Sequence, residues 1–156
     1  MQWVKAGAVG ALGSLIIFIV MFIGINVTGA APFDMPPSAA FLKAVMGLPI
    51  KPLALGAHFG YGIVWAIILL AIFQEKTDIW RGLGVAVIVQ WLVLMQLIYS
   101  PMIGWRVFGV NAGNTGDAPA LAATVPYVVM TLVLHIVYGA LNGWLIPRWT
   151  GLRQRA

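Results

Sequence analysis

The sequence predicts an all-α integral membrane protein built as a four-helix bundle. Composition, four long uncharged apolar runs and the placement of charge predict it. Of 156 residues, 62% are hydrophobic and 8% charged, with a mean hydropathy of +0.97. Soluble domains average about 45–50% apolar and about 25% charged. These values exclude a soluble domain, a disordered tail, a collagen and a coiled coil. The length fits one transmembrane domain, residues 1–156. The chain has no cysteine, which excludes disulfides, thiolate metal sites, iron–sulfur clusters, c-type haem attachment and a cysteine nucleophile.

A membrane-crossing helix needs about 20 mostly apolar residues. Residues 6–26, 52–73, 82–105 and 119–146 each supply such a run without an Asp, Glu, Lys or Arg. The first is too long for the apolar core of a cleavable signal peptide, since the uncharged stretch continues to Phe33. After it, Asp34-Met35-Pro36-Pro37 reads as a helix start, with an acceptor side chain near the cap and proline in the first turn. Phe41, Leu42, Val45 and Met46 then share one face, predicting a short interfacial helix from Ser38 to Gly47 in the first outer loop. Pro101 is expected to mark the end of the third span rather than a break within it.

Four crossings put both termini on one side. That side collects Lys5, Lys76, Arg81, Arg148, Arg153 and Arg155, against Lys43, Lys51 and Arg106 on the other. The positive-inside rule therefore predicts a multi-pass protein of the inner (cytoplasmic) membrane with both termini cytoplasmic. The net charge of +5 is scattered singly between apolar runs, which suits lipid headgroups and not nucleic acid. Trp3, Trp80, Trp105, Trp144 and Trp149 fall near span ends, as interfacial anchors do.

The chain also carries an internal match. Trp3, Gly7, Leu15, Pro49, Leu55, His58, Tyr61 and Gly62 recur 77 residues later as Trp80, Gly84, Leu92, Pro126, Leu132, His135, Tyr138 and Gly139. Leucine and glycine matches are cheap here, but the chain has only two histidines and both fall in register. Two tandem helix-hairpin repeats, about 1–77 and 78–154, are therefore expected, related by a pseudo-twofold axis along the membrane normal.

Several short motifs are similar to those of a family of small prokaryotic four-helix membrane proteins whose common domain has no assigned function. They are Pro36-Pro37, His58-Phe59-Gly60-Tyr61-Gly62, Arg81-Gly82-Leu83, Pro101, Phe108-Gly109 and Leu134-His135-Ile136-Val137-Tyr138-Gly139. The resemblance spans most of the chain. It implies the fold and a membrane location, and it brings no activity and no site.

Residues i, i+3 and i+4 share a helix face. His58, Tyr61 and Gly62 thus form one stripe, and His135, Tyr138 and Gly139 a second. The plain reading is interhelical packing, with glycine admitting a neighbouring backbone and His and Tyr bonding across the contact. Ala6/Gly10/Ser14, Gly56/Gly60 and Gly139/Gly143 add small-residue contacts of the same kind. The functional reading makes His58 and His135 a cofactor-binding pair: axial ligands of haem b, or contacts to a quinone, a lipid or a pigment. Tyr61 and Tyr138 beside them would crowd a haem. No metal site is expected.

Enzyme chemistry finds no support. There is no nucleophile elbow, no His-Glu-x-x-His, no phosphate-cradling loop and no pair of carboxylates. Asp34 and Asp117 stand before prolines and read as loop caps, and the loop from Gly109 to Gly116 reads as a solvated connector. No span contains Asp or Glu; the intramembrane polar set is Ser14, Asn26, His58, Gln90, Gln96, Ser100, His135 and Asn142 with Tyr and Thr hydroxyls. This is thin equipment for a coupled transporter. The leading expectation is a non-catalytic accessory subunit of a larger membrane complex, respiratory or photosynthetic, working by helix packing and by lipid or cofactor contacts. A haem b- or quinone-binding electron-transfer protein is the first alternative, and a small homodimeric transporter or channel the second.

Overall fold

A computed structural model describes residues 1–27, 42, 47, 51–102, 104, 106–110 and 120–152. The described residues form four long helices and contain no strand. They are α1 (Gln2–Asn26), α2 (Lys51–Phe73), α3 (Ile79–Met102) and α4 (Ala120–Thr150). All four are long and apolar enough to cross a membrane, so the chain is a multi-pass membrane protein by length and composition. A hydrocarbon layer offers no water to free backbone groups, and a helix satisfies them within the segment. Of the expected interfacial helix at 38–47 only Leu42 and Gly47 are among the described residues, and the caps at Asp34 and Asp117 and Trp105 lie outside them.

The helices overrun the uncharged runs where polar residues serve as ends. α1 starts at Gln2 and takes in Trp3 and Lys5. α2 and α3 are joined by a tight turn through Gln74–Lys76, with Gln74 at φ +47° and the Thr77 hydroxyl donating to the Gln74 carbonyl at 2.7 Å. Asp78 then caps α3: its backbone is extended and its carboxylate accepts from the Arg81 amide at 2.9 Å. The Arg81 guanidinium pairs with the same carboxylate and donates to the Lys76 carbonyl. α3 stops at Met102, one residue after Pro101, so that proline does mark a boundary. α4 runs through Pro126 and Pro147 to Thr150, four residues past the apolar run ending at Ile146. Arg148 lies over the Trp144 ring, 4.5 Å from its centroid, and donates to the Trp144 carbonyl. Trp3, Trp80, Trp144 and Trp149 are all exposed at the end of the bundle that holds the N-terminus.

The bundle is closed on three sides. α1 packs against α2 and against α4, and α4 packs against α3. Among the described residues, α2 meets α3 chiefly at Ile79–Gly84, next to the turn that joins them. Glycines set the two hairpin contacts. A Cβ on Gly10 would lie 2.5 Å from the Gly62 carbonyl oxygen, so α1 and α2 touch backbone to backbone. A Cβ on Gly82 would lie 2.2 Å from the Gly139 oxygen, so α3 and α4 do the same. Of the small-residue pairs, Gly139/Gly143 seats on α3 and Ala6/Gly10/Ser14 is buried, whereas a Cβ on Gly56 or Gly60 would meet nothing within 4 Å among the described residues.

A twofold relation between the hairpins would make the α1–α4 and α3–α2 sides alike. One is closed and the other open. The matched glycines also seat differently: Gly62 lies on Gly10 and Ser14, and Gly139 on Gly82 and Ala86, positions five residues earlier in the matched register. The apolar core gathers Ala6, Val9, Ala66, Leu69, Leu70, Leu145 and Ile146, all in the half of the bundle nearest the N-terminus. Dense packing there leaves the opposite half to polar side chains and to a cleft.

Candidate functional site

The cleft has a volume of about 420 Å³ and is lined from all four helices. α1 contributes Ser14, Ile17 and Met21; α2 contributes Ala57, His58, Tyr61 and Gly62. α3 contributes Gln90, Leu94, Met95 and Tyr99; α4 contributes Thr131, Leu134, His135 and Tyr138; Leu42 adds to the wall. On each helix these positions run from about the midpoint toward the end away from the chain termini or cluster at the midpoint. The site therefore lies at the middle of the bundle and in the half away from the chain termini. Its size falls within the usual range for small-molecule sites, about 300–1,000 Å³ with apolar walls and a few polar groups.

Of the residues nominated from the sequence, His58, Tyr61, Gly62, His135 and Tyr138 line this cleft. Gly139 does not. It faces α3, where a Cβ would meet the Ala86 Cβ and the Gly82 oxygen at 2.6 Å. The Tyr138 hydroxyl donates to the Gly62 carbonyl, joining α4 to α2 across the bundle. Tyr138 thus carries the packing role expected of the stripe, while Tyr61 is half exposed and lies against Trp65 of its own helix, ring centroids 6.0 Å apart.

The histidines are held by backbone carbonyls. His58 Nε2 lies 2.9 Å from the Ser14 oxygen and His135 Nδ1 lies 2.7 Å from the Thr131 oxygen. A carbonyl can only accept, so each of these nitrogens carries the hydrogen. A neutral imidazole has one N–H. His58 is left with a lone pair on Nδ1 and His135 with one on Nε2, neither partnered among the described residues. Phe18 and Phe59 flank the His58 ring, with centroids at 6.0 and 5.6 Å.

Two groups that the sequence singles out only as members of its intramembrane polar set complete the site. Gln90 lines the cleft, is 2% exposed, and its amide has no hydrogen-bond partner among the described residues. Ser14 Oγ is buried and likewise without a partner. An amide within an apolar span marks Gln90 and Gln96 alike, and the fold places Gln90 on the cleft. Behind the α3–α4 wall, Thr131 Oγ1 accepts from Trp91 Nε1 at 3.0 Å and from Gln96 Nε2 at 3.4 Å. Its own hydroxyl donates to the Tyr127 carbonyl at 2.8 Å. Ser100 and the Tyr127 hydroxyl share a 2.7 Å bond. α3 is π-helical over Val85–Tyr99, with the Ser100 amide bonding back to the Met95 carbonyl. Such winding is rare and is often found beside functional sites. Among the described residues no three His, Cys, Asp or Glu side chains come together to hold a metal ion.

No family model, no curated protein and no solved structure matches this chain.

Proposed function

We propose that this chain is a non-catalytic membrane protein that holds an apolar, ring-bearing ligand in the cleft between His58 and His135. One observation carries the reading. Polar side chains from diagonal helices converge on a cavity whose fourth side, between α2 and α3, is unpacked. A ligand with an apolar tail can enter there from the lipid without crossing water. In a membrane, buried ionisable and amide groups are functional candidates by default, because leaving them unpaired is costly. The in-register histidines fit a duplicated hairpin that acquired a two-sided site.

The ligand would serve an electron-transfer assembly in which this chain is a small subunit. The outer walls are apolar throughout, with Leu53, Leu55, Val64 and Ile72 of α2 exposed, and so suit lipid or a larger partner. The cluster of Lys5, Lys76, Arg81 and Arg148 at one end supports an inner-membrane protein with cytoplasmic termini.

The test is gentle purification. The tagged full chain is solubilised in mild detergent. Its visible spectrum, its organic-solvent extract and its co-purifying proteins are recorded from one preparation. The reading expects an extractable ring compound near one per chain, with stoichiometric partner subunits. A chain that emerges alone, colourless and free of extractable ligand refutes it.

A further inference from the structure

We infer that the cleft selects the dihydroxy form of a para-quinone-type ring, the quinol, over the oxidised dicarbonyl form. This rests on the ligand-site reading above and names the ligand's chemical class. The two histidines present acceptors to the cleft, while the Gln90 amide and Ser14 Oγ can donate, and a ring hydroxyl pairs with both kinds of group. His58 and His135 each commit their only N–H to a backbone carbonyl, at 2.9 and 2.7 Å, and keep a lone pair. A group that meets such a nitrogen favourably must bring its own hydrogen or be a metal. A quinol brings two O–H groups, one for each imidazole. A quinone brings two carbonyl oxygens, whose lone pairs would face those of the histidines.

Gln90 fits the same ligand. Its amide is buried against the cleft without a partner among the described residues, and it can donate N–H to the hydroxyl oxygen that is itself donating to a histidine. A hydroxyl both donates and accepts, so one ring oxygen satisfies both groups. Haem is the competing ligand for paired lone pairs. A porphyrin needs the outermost ring nitrogen, Nε2, to reach its iron past the macrocycle. On His58 that nitrogen is already tied to the Ser14 carbonyl. The nitrogen left free, Nδ1, sits beside the side-chain stem, where a macrocycle has no room and a hydroxyl does. A sterol-type alcohol shares the hydroxyl chemistry but offers a single donor for two acceptors.

The experiment uses the full chain in lipid nanodiscs under anaerobic conditions. Four probes are titrated: an alkyl-substituted para-benzoquinol, its quinone, the quinol's dimethyl ether, and a sterol. Tryptophan fluorescence is followed, since Trp91 is bonded to the cleft residue Thr131. The quinol should bind at least about tenfold more tightly than the quinone or the ether, because those leave hydrogen-bonding groups of the site unpaired. Gln90→Leu and His135→Leu should each erode that preference. The comparison of quinol with ether needs no variant and stands if either substitution fails to fold. Quinone binding equal to or tighter than quinol overturns the inference, and so does a sterol that outcompetes the quinol. If none of the probes binds but purified protein still yields an extractable ligand, the quinol assignment fails and the ligand site survives. If none binds and nothing is extracted, both fail.

Discussion

Adding one methyl group at Gly82 should separate α3 from α4, while the same change at Gly60 should do nothing harmful. The built Cβ at Gly82 lies 2.2 Å from the Gly139 carbonyl oxygen and 2.9 Å from both the Gly143 Cα and nitrogen. All three are backbone atoms and cannot rotate away. Restoring an ordinary contact of roughly 3.5 Å means moving one helix by about 1 Å. Overpacking of this kind costs about 1–3 kcal/mol, which raises the unfolded fraction from about fivefold to over a hundredfold. At Gly60 a Cβ meets nothing within 4 Å among the described residues, and alanine is the better helix former by up to about 1 kcal/mol. Gly62 is a third, diagnostic case. Its Cβ would fall 1.9 Å from Ser14 Oγ but 3.2 Å from the nearest backbone oxygen, so the hydroxyl is the main obstacle. Gly62→Ala should therefore be rescued in large part by Ser14→Ala, a coupling expected of residues in contact. The assay is reversible unfolding of the purified chain in increasing SDS, followed by tryptophan fluorescence and circular dichroism. Equal loss of stability from Gly60→Ala and Gly82→Ala, or no rescue at Gly62, would refute this account of the helix contacts.

Three further substitutions probe single bonds. Tyr138→Phe removes the hydroxyl that bonds the Gly62 carbonyl across the bundle; interhelical bonds in membranes average about 0.6 and reach about 1.7 kcal/mol, and the same SDS titration should return a loss in that range. Thr131→Val takes away the acceptor of Trp91 Nε1 and Gln96 Nε2, so about 1–3 kcal/mol should be lost, with a shift in tryptophan emission. Asp78→Ala deletes the α3 cap and the partner of Arg81; about 1 kcal/mol is expected, and hydrogen exchange should quicken at the first amides of α3 and nowhere else.

Much of this architecture is readable in the residues. Four uncharged runs locate the spans, because a hydrocarbon layer tolerates few alternatives. The helix ends are less legible. Asp78 starts α3 earlier than the apolar run does, since a carboxylate that accepts the Arg81 amide ends a helix more firmly than hydropathy does. α4 continues through Pro147, which hydropathy alone had placed beyond its end. Within the candidate site, the repeated His-x-x-Tyr-Gly stripe brought His58, Tyr61, Gly62, His135 and Tyr138 to one cleft. Side-chain roles were not legible. Spacing cannot tell that Tyr138 is bound to Gly62 while Tyr61 is not, nor that Gly139 turns to α3. Gln90 and Gln96 are both amides in one apolar run, and spacing does not tell which of them faces the cleft. The open α2–α3 side was hidden too, since a duplicated sequence predicts matching sides and the observed asymmetry depends on which glycines meet.

Ala57 offers the most direct test of the cleft as a ligand site. It lines the cavity from α2 and is exposed to it, so Ala57→Trp would fill the space without displacing the apolar core. Native mass spectrometry of wild type and Ala57→Trp from matched nanodiscs would count bound ligand per chain, with circular dichroism confirming the fold of each. The account predicts about one small apolar ligand on the wild-type chain and none on the folded variant. Equal occupancy of the two proteins, or a wild-type chain that carries nothing, would contradict it.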